Sequence, residues 1–97
     1  MTELDKLEEY LKAKGILYQR RDESFPRGRY NMVQHQIVVF ADDGRLMWDA
    51  VCQRGSYGYE EGLLEVMGSP VVRESDGDDV VGWLTAADVI ARLEGAP

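Results

Sequence analysis

Leu46–Gly68, LMWDAVCQRGSYGYEEGLLEVMG, is the stretch around which the rest of the chain arranges itself. It holds the single cysteine, one of the two tryptophans and two of the five tyrosines. LMWDAVC reads as a strand, and Gly55, Tyr57 and Gly58 punctuate a turn. Tyr59, Leu63 and Val66 or Met67 then recur at helical spacing, which predicts a short helix stopped by Gly68. Ser56 or Gly58 would cap it, and Glu60 and Glu61 suit the positive end of its dipole. Gly62 within it costs about 1 kcal/mol against alanine and would let it approach a sheet closely.

Upstream, QHQIVVF (34–40) is a second strand, and Ala41-Asp42-Asp43-Gly44-Arg45 joins the two as a hairpin. Its parity follows from charge. One register gathers Ile37, Val39, Ala41, Leu46, Trp48, Ala50 and Cys52 on an apolar face. A one-residue slip would bury Asp49 among them without a partner. The reading therefore favours a two- or four-residue loop, the tighter register setting His35 opposite Cys52.

At the start, Thr2 and Asp5 form a capping box, Leu4, Leu7 and Leu11 an apolar stripe, and Gly15 a helix stop. ILYQR (16–20) reads as a strand. Residues 22–33 contain Pro26-Arg27-Gly28 and, with Arg20, Arg21 and Arg29, the one basic region, read as a flexible loop. Downstream, residues 70–74 and 80–84 are candidate strands around the acidic turn at 75–79, forming either a hairpin or a loop. Thr85, with Asp88 at the third helical position, opens a last helix whose Val89, Ile90 and Leu93 face the core. Residues 95–97 are a tail.

The 97 residues make one domain, 1–97, able to bury roughly 60–70% of its unfolded surface. One cysteine makes no internal disulfide and fits a reducing compartment. The acidic and basic N-terminus is unlike a signal peptide, and no run reaches the ~18 apolar residues of a membrane span. A soluble, cytoplasmic protein is expected, with no membrane partner. The net charge of −7 is concentrated in residues 31–97, which alone carry −8. That balance disfavours direct nucleic-acid binding and leaves solubility, a basic protein partner, or imitation of nucleic-acid charge.

Few residues carry chemistry. Cys52 and His35 are the available nucleophile–base pair, although a thiol ending an apolar strand face behaves first as a small hydrophobe. One cysteine and one histidine build no zinc site, and the acidic turn lacks the EF-hand pattern, so no metal or cofactor is expected. Arg54-Gly55-Ser56-Tyr57-Gly58-Tyr59 is either a tight corner whose tyrosines pack on Trp48 and Trp83, or a ligand or partner site. Arg and Tyr are favoured at interface hot spots, so Arg54, Tyr57, Tyr59 and Trp83 are the candidate binding residues.

WDAVCQRGSYGYEEGLLEVMG, followed by DDVVGWLTAADVIARLEG, resembles a family of small uncharacterised proteins of phages, prophages and mobile elements of Gram-positive bacteria. The resemblance runs over residues 35–94 and implies a setting, a small accessory gene product, but no reaction. The expected architecture is α+β: a three- or four-stranded antiparallel sheet with three helices, ordered α-β-β-β-α-(β-β)-α. The expected function is a non-enzymatic protein-binding module. The alternatives are an acidic DNA mimic that inhibits a DNA-handling protein, a small thiol enzyme using Cys52 and His35, and a homodimer formed through a strand edge or the Tyr57/Tyr59 corner.

Overall fold

The computed structural model describes residues 1–95, the side chain of Tyr30 excepted, so the expected tail lies, at 96 and 97, outside the described residues. The chain is α+β. Helix α1 (Glu3–Lys14) leads into strands β1 (Tyr18–Arg27), β2 (Tyr30–Phe40), β3 (Leu46–Gln53), β4 (Leu64–Gly68) and β5 (Val80–Leu84), and helix α2 (Ala86–Leu93) closes the fold. The five strands form one antiparallel sheet in chain order.

Both helices start as the sequence predicts. The hydroxyls of Thr2 and Thr85 accept from the amides of Asp5 and Asp88, whose carboxylates accept in return from the cap amides. At the end of α1, Gly15 turns to φ 68°, and the Ile16 amide reaches the Leu11 carbonyl at 3.0 Å, a Schellman closure. Leu4, Leu7 and Leu11 of α1 and Ala86 and Val89 of α2 are buried against Ile37, Val39, Trp48, Ala50, Leu64 and Val66 of the sheet. Val71, from the β4–β5 connection, completes this core. Among the described residues no helix is long and apolar enough to cross a membrane.

The β2–β3 register places Ile37 opposite Ala50, Val39 opposite Trp48 and His35 opposite Cys52. The loop, however, has three residues. The Ala41 amide donates to the Arg45 carbonyl, Gly44 sits at φ 85°, and a shift between Val39 and Phe40 restores the register. A three-residue hairpin ending in a left-handed residue carries such a bulge. Its consequence is that Leu46 leaves the apolar face and is exposed.

Two expectations are corrected, and the alternative left open at 70–74 is decided. The helix expected over 59–67 is a single 3₁₀ turn (Tyr59–Glu61) followed by β4. Gly62 at φ 72° ends the turn, and Leu64 and Val66 then point into the core while Glu65 and Met67 point out. The loop expected over 22–33 is a hairpin, paired as far as Arg27 opposite Tyr30. β1 is almost wholly exposed, and as the edge strand it accommodates Pro26. Residues 70–74 form no strand: Pro70 follows a cis peptide in a turn, and β5 pairs with β4. The sheet therefore has five strands and two α-helices cover it, against the three or four strands and three helices expected.

A candidate partner-binding corner

After β3 the chain turns sharply. Ser56 fastens the turn: its hydroxyl donates to the Gln53 carbonyl at 2.7 Å and accepts from the Gln53 amide at 3.1 Å. Ser56 thus locks a corner and caps no helix. The Tyr57 amide donates to Glu65 Oε1 at 3.1 Å, and the Trp83 amide donates to the Tyr57 carbonyl at 3.3 Å. Both bonds tie the corner to β4 and β5.

At the same point β5 is distorted. Trp83 has φ 55°, a left-handed conformation that a bulky residue adopts only when its surroundings impose it, at a cost of about 1–3 kcal/mol. The twist turns the indole outward onto Tyr57. The two rings stack with centroids 5.1 Å apart and planes inclined by 22°. Two glycines make the approach possible. A Cβ on Gly58 would lie 2.9 Å from the Leu63 Cβ and 3.1 Å from the Trp83 Cα, and one on Gly82 would meet Tyr57.

The stack stands in the open, Tyr57 55% and Trp83 58% exposed. It borders a depression of about 550 Å³ lined also by Arg54, Tyr59, Glu60 and Glu61. Arg54, Tyr57, Tyr59 and Trp83, named together from the sequence, therefore line one surface feature. The packing of the tyrosines on Trp48 does not occur in the form expected: Trp48 is buried in the core, and Tyr57 stacks on Trp83.

His35 and Cys52 are Cα partners, with Asp22 opposite His35 on the other side. His35 Nδ1 lies 2.7 Å from Asp22 Oδ1. An ionised carboxylate only accepts, so Nδ1 carries the proton in this pair. Among the described residues no hydrogen bond joins the imidazole to the thiol, and burial pushes the Cys52 thiol up. The arrangement supplies an oriented base but no activated nucleophile. Asp22 had no local signal in the sequence, because its partner is 13 residues away across a hairpin. The same face carries Arg20, whose guanidinium bridges Asp5, Glu8 and Asp22.

Two larger depressions lie elsewhere. One, of about 810 Å³, is bordered by Gly68, Ser69 and the acidic turn; the other, of about 660 Å³, runs between Tyr10, Leu17, Phe40 and Met47. The first is lined by Ser69, Arg73, Glu74, Asp78 and Asp79, and neither is lined by His35 or Cys52. Among the described residues no three His, Cys, Asp or Glu side chains converge as metal ligands would. Compared with known family models, curated proteins and solved structures, the chain matches none.

Proposed function

We propose that this chain is a non-enzymatic protein-binding module, an accessory product of the mobile-element type its motifs resemble, and that it engages its partner through the Tyr57–Trp83 corner. The observation that carries the reading is the exposed stack held by a left-handed Trp83. A folded chain gains most by burying aromatic rings, and large aromatics dominate interface hot spots. Here backbone strain and two obligatory glycines serve to present the rings to solvent. Capture from a lysate of the native host tests it, with wild-type and Trp83→Ala baits side by side after nuclease treatment. A stoichiometric protein retained by the wild type and lost by the variant is the expected result. Equal capture by both baits removes the corner from the interface.

A further inference from the structure

We infer that the corner takes an arginine-bearing segment of a basic partner, with a guanidinium laid on the Tyr57–Trp83 stack and paired with Glu60 or Glu61. The inference rests on the corner being the binding surface and names what binds there. Its first support is the geometry of the rings. Because the two planes are nearly parallel, their inner faces are occupied by one another, and an outer face and the edges are presented. An outer face is a platform for a flat group. Guanidinium is flat, weakly hydrated and stacks on aromatic rings, whereas an ammonium is compact and strongly hydrated.

The second support is charge. Glu60 and Glu61 line the same depression and are exposed, and their carboxylates have no hydrogen-bond or ion-pair partner among the described residues. Other acids are neutralised by neighbours, Asp5, Glu8 and Asp22 by Arg20, Glu3 by Lys6, Asp43 by Arg45 and Asp76 by Arg92, whereas Glu60 and Glu61 stand beside an exposed aromatic platform. Arg54, the cation in the lining, has an interaction of its own. The surface beside the stack thus carries carboxylates in excess, on a chain of net charge −7 that draws basic partners at long range.

The test uses two synthetic peptides of equal length and charge, one carrying arginines and the other lysines at the same positions. Trp48 is 2% exposed and Trp83 58%, so a change in tryptophan emission on peptide binding reports the corner. The arginine peptide is expected to shift that emission and to bind about fivefold more tightly than the lysine peptide, equivalent to roughly 1 kcal/mol. By calorimetry, Trp83→Ala should erase the preference. The Glu60→Gln/Glu61→Gln pair, on an exposed turn where unfolding is not at issue, should weaken both peptides and flatten their salt dependence. Equal affinity for the two peptides, no binding of either, or a preference that survives Trp83→Ala overturns the inference. If the peptides fail while a captured partner still depends on Trp83, the corner remains the binding surface and only its arginine ligand is wrong. If both fail, the corner reading fails with it.

Discussion

A Cβ placed on Gly82 would lie 2.3 Å from the Cβ of Tyr57, closer than side chains approach in folded proteins. Gly82 is therefore the residue that lets Tyr57 reach Trp83. Gly82→Ala should push Tyr57 off the indole and destabilise the fold by about 1–3 kcal/mol, the usual range for overpacking. The check is the Trp83 emission together with the denaturation midpoint. An unchanged spectrum would mean that the stack tolerates the methyl group.

Gly68 is confined by backbone rather than by a side chain. It sits at φ 97° opposite Trp48, and an added Cβ would fall 2.4 Å from the Met47 carbonyl oxygen and 2.8 Å from the Trp48 Cα. Neither neighbour can yield without breaking the β3–β4 ladder. Gly68→Ala should cost more than Gly82→Ala, since strain from a positive φ adds to the clash. Comparative denaturation of the two variants decides the order.

Cys52 should behave as a packing residue. Burial raises its thiol pKa, and the imidazole opposite is held by Asp22. Alkylation of the native chain near pH 8 should run about tenfold or more slower than in denaturant, because thiolate and not thiol attacks. Rapid labelling of the native chain would reopen the thiol-enzyme alternative.

Asp49 lies opposite Val38 on the face turned away from the helices, where it accepts a hydrogen bond from Gln36 Nε2 at 2.8 Å. Desolvation raises its pKa and outweighs that bond. A carboxyl whose folded pKa is raised destabilises the fold once pH exceeds its unfolded value near 4. Asp49→Asn removes the half-buried charge and keeps an acceptor. It should be neutral or stabilising at pH 7 and show no advantage at pH 3, which melting curves at the two pH values would read.

The features legible in the sequence are those fixed by near neighbours. The caps at Thr2 and Thr85 need only a carboxylate three residues on. The β2–β3 register was legible because a slip would bury Asp49, while the bulge at Val39/Phe40 was not, since it follows from a three-residue turn rather than from the apolar pattern. Residues 59–67 misled because Tyr59 and Leu63 fall at helical spacing, whereas β4 is only five residues long and offers just Leu64 and Val66 as its alternation. ILYQR was read as a strand and Tyr18–Arg20 do open β1, but the part of β1 beyond Arg20 misled for a different reason. That part is held by its ladder to β2 and buries nothing, so its side chains carry no strand pattern. At the corner, the clustering of Arg54, Tyr57 and Tyr59 in six residues was visible. The left-handed Trp83 and the need for glycine at 82 arise only from the meeting of two distant segments.

The acid response of the fold follows from its carboxylates. The Thr2 amide, and next to it Arg20, hold Asp5 at about 2. His35 lowers Asp22, Arg92 lowers Asp76, the Thr85 amide lowers Asp88, and the Ala86 amide lowers Glu3. A depressed folded pKa gives stability that is complete above the unfolded value, near 4, and is lost as pH falls toward the folded one. The melting temperature should therefore hold from pH 7 to about 5 and decline between roughly pH 4.5 and 2. Asp49 acts in the opposite sense, and its protonation softens the decline. Arg20→Met provides the control, because it strips Asp5, Glu8 and Asp22 of their shared cation. That variant should melt lower than wild type at pH 7, and the gap should narrow as pH falls toward 2 and the carboxylates of both chains take up protons. Parallel melting curves across the range would show that Arg20 acts through its aliphatic stem alone.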